Sequence, residues 1–167
     1  VIVPRAYRME MESNLDTMGH FEIHYYQITR FDRMRCWYII EHTKKFGIHI
    51  DIIENEIYKG FEFFSFNYLY KQVIKFKNFY VLNKPMDIVM LLVQNIVAYK
   101  RLKEKYRNLI ASNYFTCKEA CDSEILHFWG NNQGQKMIAL LENKDFDAIE
   151  NHAREFEKSA MKRIFVK

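Results

Sequence analysis

A chain of 167 residues with 49% hydrophobic and 16% aromatic side chains has enough apolar surface to close a real core, and too much to remain disordered. Its 5 glycines and 2 prolines are too few for a loop-rich all-β protein. The formal charge of +4 is unevenly placed: residues 61–110 carry 9 Lys and Arg against 3 Asp and Glu, whereas residues 1–60 and 111–167 each carry 8 against 9.

Helix signals open the chain. The segment PRAYRMEMESNLDTMG (4–19) has Pro4 at a first turn and Gly19 as a stop, so a helix over 4–18 is expected. HFEIHYYQIT (20–29) follows, aromatic and β-branched with partial alternation, and reads as a strand. RMRCWYIIEH (33–42) and GIHIDIIE (47–54) flank the short connection TKKF and predict an antiparallel hairpin. In the second run Ile48, Ile50 and Ile52 share one face, and His49, Asp51 and Ile53 the other. IYKGFEFFSF (57–66) adds strand character around a turn at Lys59-Gly60.

The second half reads as helical. Asn83 suits a cap, Pro85 and Asp87 suit a first turn, and Ile88, Leu91, Leu92, Asn95, Ile96 and Tyr99 recur at helical spacing before a cationic turn. Further helices are expected near 117–129 and 132–143. A last one runs from about 146 to 164, with Phe146, Ile149, Ala153, Phe156 and Ala160 on one face. The longest apolar run, IVMLLVQNIVA (88–98), is too short to cross a bilayer and is interrupted by Gln94 and Asn95, so no membrane partner is expected. Cys36, Cys117 and Cys121 make an odd set with no disulfide spacing, which fits a reducing, cytoplasmic setting; Cys117 and Cys121, four apart, share a helix face.

Asp51 raises the functional question, because a carboxylate in the middle of an apolar strand needs a partner. One answer is a neighbouring Lys, Arg or His on a partly exposed sheet face. Another lies in the order of four segments: VIVPRAYRMEMESNLDTMGHFEIHY, HIDIIENEIYKGFEF, FYVLNKPMDIVMLLVQNIV and ENKDFDAIENHAREFEKSAM. In that order, across nearly the whole chain, they resemble the nucleotidyltransferase fold of the DNA polymerase beta superfamily. The closer likeness is to the nucleotidyltransferase-like module of bacterial thymidylate-kinase-like and polysaccharide-locus proteins.

The resemblance implies an α+β fold: a small mixed or antiparallel sheet with a flanking helix over residues 1–83, and a helical half over 84–167 packed on it as one structural unit. It implies transfer of a nucleotidyl group from a nucleoside triphosphate to a hydroxyl acceptor, with Mg²⁺ held by three carboxylates. Asp51 matches the third of these and is the expected metal-binding and catalytic acid. The other two would come from a Gly-Ser turn and an Asp-x-Asp pair, which this sequence lacks before VIVP. Glu54/Glu56, Asp122/Glu124 and Asp145/Asp147 all follow Asp51, in segments read as turn or helix. The chain opens on Val1 without Met, so the expectation is either a missing upstream segment or a module that has lost catalysis and kept binding.

Lys71, Lys75 and Lys84 are the expected nucleotide-binding cations, and Lys77, Arg101, Lys103, Lys105 and Arg107 extend the basic set. Aromatics interleave with the first of them in FSFNYLYKQVIKFKNFY, yet no nucleic-acid-binding motif accompanies them, and nucleic acid is the less favoured partner. A solvated helix face accounts equally for the charges. No phosphate loop, dinucleotide glycine pattern, Ser-His-Asp order or nucleophile elbow occurs. A non-catalytic binding or interaction module is the competing expectation, and an unpaired sheet edge makes a homo-oligomer a further one.

Overall fold

The computed structural model describes residues 5–17, 21–26, 35–42, 46–52, 56–58, 61–77 and 79–165. Pro4, Gly19, the Lys59-Gly60 turn and the side chains of Cys36, His49 and Asp51 lie outside the described residues. Helices and antiparallel strands are mixed, and helix accounts for most of the described length. The chain divides into two compact units, Val1–Lys71 and Gln72–Lys167.

The first unit opens with α1 (Arg5–Thr17). Strands β1 (Phe21–Tyr26), β2 (Arg35–His42) and β3 (Phe46–Ile52) then pair antiparallel in that order. The hairpin expected from 33–54 is present, with Trp37 opposite Asp51 and Ile39 opposite His49. Strand character in 57–66 resolves into two short strands, β4 (Glu56–Tyr58) and β5 (Phe61–Phe64), paired with each other. Ser65 then stops the strand and starts a helix: its hydroxyl accepts the Tyr68 N–H at 3.2 Å, which caps α2 (Phe66–Tyr70).

The second unit begins with a hairpin, β6 (Val73–Phe76) and β7 (Phe79–Leu82), in a stretch of the expected α/β half, 1–83, to which the sequence assigned no element. Phe76 pairs with Phe79 across a two-residue turn in which Lys77 takes φ 53°. Such a turn needs a positive φ, so the lysine adopts the left-handed conformation that glycine or asparagine adopts more readily. Asn83 caps the next helix as expected, its side chain accepting the Met86 N–H at 3.0 Å. That helix, α3 (Lys84–Leu92), has Pro85 in its first turn. It runs on as a π-helical segment, Val93–Tyr99, and stops where Lys100 turns left-handed at φ 58°. The side chain of Asn95, the one buried polar residue among those described, donates to the Leu91 carbonyl at 2.8 Å, so the polar interruption of the apolar run is satisfied internally.

Helix α4 (Glu104–Asn113), a 3₁₀ turn (Tyr114–Thr116) and α5 (Lys118–Glu142) follow. A Schellman motif ends α5: Asp145 N–H bonds the Leu140 carbonyl at 2.9 Å, Lys144 N–H bonds Leu141 at 3.0 Å, and Lys144 takes φ 54°. The single helix expected over 146–164 is two, α6 (Phe146–Asn151) and α7 (Ala153–Phe165), separated at His152. All five residues predicted for its inner face, Phe146, Ile149, Ala153, Phe156 and Ala160, are buried. They join Met86, Val89, Leu92, Ile96, Ile125, Trp129 and Met137 in a core formed where α3 packs on α5 and α7 packs on α5 and the π segment. Among the described residues no helix is long and apolar enough to cross a membrane.

Candidate functional site

The residues singled out from sequence fall in three places. Asp51 occupies β3, one residue from its carboxyl end and opposite Trp37. Lys71 closes α2 in the first unit and is exposed. Lys75 is exposed on β6 opposite Tyr80, and Lys84 is the exposed first residue of α3, both in the second unit. Arg107 does not belong with free phosphate-binding cations. Its guanidinium donates to Asp147 Oδ1 at 2.7 Å, to Glu150 Oε1 at 2.6 Å and, through Nε, to the Leu102 carbonyl at 3.0 Å. Glu150 also accepts the Leu102 N–H at 2.8 Å, so this fork fastens α4 to α6. The hydrogen bond to Glu150, then that to Asp147, holds the Arg107 pKa above its ordinary value.

Cys117 stands just before α5, in a non-helical conformation, and Cys121 lies in the helix's first turn; the expected shared helix face is not formed, although their Sγ atoms are 3.5 Å apart. Burial, reinforced by the Cys117 contact, pushes the Cys121 thiol up, which makes it an inert core sulfur rather than a nucleophile. Among the described residues no three His, Cys, Asp or Glu gather as a metal site.

A cleft that sequence reasoning did not identify lies on α5. The helix is interrupted at Gly130, which takes φ 77° and ψ 173°, a conformation open essentially to glycine alone. Its two arms, 118–129 and 131–142, match the separate helices expected near 117–129 and 132–143. They fold back sharply on each other: a Cβ added at Gly134 would stand 2.9 Å from Leu126 Cδ2 and 3.1 Å from Leu126 Cα. In a straight helix two positions eight apart are separated by about 12 Å along the axis. Gly130 therefore makes the bend, and Gly134 lets the arms touch.

Breaking a helix exposes the last carbonyls of one arm and the first N–H groups of the next. Ser159 on α7 meets the first need, its hydroxyl donating to the Trp129 carbonyl at 2.9 Å. The start of the second arm, Asn131 to Gln133, faces a cleft of about 490 Å³, whose far wall is the α7 face of Glu155, Lys158, Ser159 and Lys162. Trp129 also lines it, but the residue is 1% exposed and its indole N–H, which has no acceptor among the described residues, is closed to solvent. The Gln133 side-chain carbonyl is likewise buried without a donor.

The charges of the cleft are asymmetric. Glu155 is engaged by Lys136 at 2.9 Å and His152 at 3.4 Å, and Lys136 first, then His152, holds its carboxyl below the usual range. Lys158 and Lys162, one turn apart, have no carboxylate within ion-pair distance among the described residues. Neither Lys75 nor Lys84 lines this cleft. Two glycines four apart in WGNNQG, between helix-forming runs, are the sequence signal for the corner; nothing local links it to Lys158 and Lys162. No protein family, curated protein or solved structure matches the chain.

Proposed function

We propose that the chain is a nucleotidyltransferase-like module whose first unit takes a nucleoside triphosphate with Mg²⁺, and which serves transfer to a hydroxyl acceptor when two further carboxylates join Asp51. The observation that carries this reading is the position of Asp51 in β3, within a three-stranded antiparallel sheet and opposite Trp37. Asp is depleted in strands, where it packs poorly, so an acid there is better explained by a ligand than by packing. Further support comes from the order of elements: sheet, short hairpin, then a helix opened by capping Asn83, Pro85 and Asp87.

In this reading Asp51 is the residue that would hold the metal. Bound there, Mg²⁺ would neutralise phosphate charge and orient an in-line displacement. Lys71, exposed in the same unit, would supply further positive charge to the triphosphate.

A second reading, a non-catalytic binding module on the same scaffold, draws its support from the Gly130 cleft, a lined and charged recess in the helical unit alone. Thermal stability separates the two. A ligand that binds only the folded state adds about 2.7 kcal/mol at a hundred times its dissociation constant. Wild type should be stabilised by Mg²⁺ and ATP together, more than by either alone, and Asp51→Asn should not respond. Equal stabilisation of both proteins, or none at saturating ligand, would leave the binding-module reading.

A further inference from the structure

Ile74 stands opposite Val81 in the β6–β7 register, and Phe76, two residues on from Ile74, shares their face. All three are apolar and open to solvent, Ile74 at 52%, Phe76 at 58% and Val81 at 39%. The reverse face differs: Val73 and Leu82 are half-buried, and the exposed pair Lys75 and Tyr80 lies nearer the turn. We infer that this hairpin docks on an anionic lipid surface. Its turn end enters the bilayer boundary with Phe76 deepest and Ile74 and Val81 behind it, while Lys75 and Lys77 reach the headgroup phosphates.

Charge complementarity selects the partner. Residues 72–86 hold Lys75, Lys77 and Lys84 and no Asp or Glu. Lys75 and Lys77 are exposed, and neither has a carboxylate within ion-pair distance among the described residues. The Lys77 Nζ instead stands 5.8 Å from the centre of the Phe76 ring, so a cation sits beside the most exposed apolar side chain of the face. A basic, apolar surface of this kind gains from burying hydrocarbon and from the negative potential of anionic headgroups together. Tyr80, 65% exposed, suits the headgroup level, where an aromatic ring and a hydroxyl are both accommodated.

The aliphatic residues separate lipid from nucleic acid. Bases stack on aromatic rings, and Ile74 and Val81 offer none, whereas a hydrocarbon boundary accepts both. A second copy of the chain would bring the same lysines face to face, which like charges disfavour. The expectation of no membrane partner rests on the lack of a spanning run, and surface adsorption needs none. The hairpin lies in the second unit, and the inference uses neither Asp51 nor a nucleotide, so it and the proposed function can fail separately.

The test is sedimentation of the full chain with phosphatidylcholine vesicles containing one-third phosphatidylserine, against vesicles of phosphatidylcholine alone. The chain should pellet with the anionic vesicles, remain in solution with the neutral ones, and be released by high salt. Each lysine near an anionic surface contributes a factor of about five, so Lys75→Gln/Lys77→Gln should weaken binding roughly tenfold or more. Lys103→Gln/Lys105→Gln removes the same charge at exposed positions outside the hairpin and should weaken it far less. Ile74→Thr/Phe76→Thr places β-branched residues on an exposed strand, so it should keep the circular dichroism spectrum and still lose roughly tenfold in binding. No binding to anionic vesicles at millimolar lipid, equal binding to neutral ones, or equal losses in the two lysine pairs would each overturn the proposal. So would unchanged binding of Ile74→Thr/Phe76→Thr, capture of a single-stranded oligonucleotide in place of vesicles, or self-association that this variant abolishes.

Discussion

Replacing Gly130 by alanine tests whether the α5 corner is built on a glycine-only conformation. At φ 77° and ψ 173° an L side chain meets its own backbone, a strain of about 1–3 kcal/mol. Alanine recovers about 0.4–1 kcal/mol by restricting the unfolded chain, which leaves a net loss of about 1–2 kcal/mol. For a unit the size of Gln72–Lys167, each kcal/mol lowers the melting temperature by about 4–8 °C, so Gly130→Ala should melt some 5–15 °C below wild type.

Gly134→Ala is the instructive comparison. Its methyl would meet Leu126 Cδ2 at 2.9 Å, which can rotate away, and Leu126 Cα at 3.1 Å, which cannot. Overpacking of about 1–3 kcal/mol is there partly offset by about 1 kcal/mol of helix propensity, so the loss should be smaller than at Gly130. Gly130→Asn should not rescue, because the left-handed tolerance of asparagine does not extend to ψ 173°. Far-UV circular dichroism melts of the three variants measure this. Gly130→Ala melting with wild type, or asparagine serving as well as glycine, would refute the corner geometry.

Two further outcomes follow from side-chain networks in the helical unit. Arg107→Ala should cost about 1–3 kcal/mol in urea unfolding, because Glu150 loses its guanidinium partner; Arg107→Lys should recover less than half, since an ammonium cannot fork to Glu150 and Asp147 while also reaching Leu102. Tyr114 is buried, and burial first, then its hydrogen bond to Asp122, raises its phenol above the usual 10.0. The folded state therefore prefers the protonated phenol. Its contribution is fully present below pH 10.0 and is lost as pH rises toward the higher folded value. Tyr114→Phe should cost about 1 kcal/mol at neutral pH and remove part of the alkaline fall in stability, and urea midpoints across the range from neutral to alkaline pH would reveal an unchanged fall if that assignment were wrong.

The helical half was legible wherever apolar spacing met a strong local stop. Phe146 to Ala160 at helical spacing mark a buried face because five apolar residues leave no other arrangement on that helix, and Gly130 separates the two α5 arms because glycine is the residue that admits the bend. The β2–β3 pairing was legible for the same reason, two β-rich runs around a short polar connection.

What escaped sequence reasoning carried atypical residues or depended on distant ones. The β6–β7 turn uses Lys77 where glycine or asparagine would have announced a positive φ, so VIKFKNFYVL reads as a basic aromatic run. His152 divides the last helix without a glycine or proline to signal it. Among the basic residues, Arg107 looked equivalent to its neighbours until Asp147 and Glu150, some forty positions away, were found to hold it. The Gly130 cleft depends in the same way on Trp129 and the α7 lysines, which only tertiary packing brings to one recess.

The proposed function stands most directly on Asp51, and backbone amide NMR is the measurement that addresses it. With Mg²⁺ and ATP added together, the amides of 46–52 and of their β2 partners should shift saturably, and Asp51→Asn should abolish the response while leaving the rest of the spectrum intact. Shifts confined to the Trp129 region, persistence of the β3 response in Asp51→Asn, or no response at millimolar ligand would contradict a metal–nucleotide site at this strand.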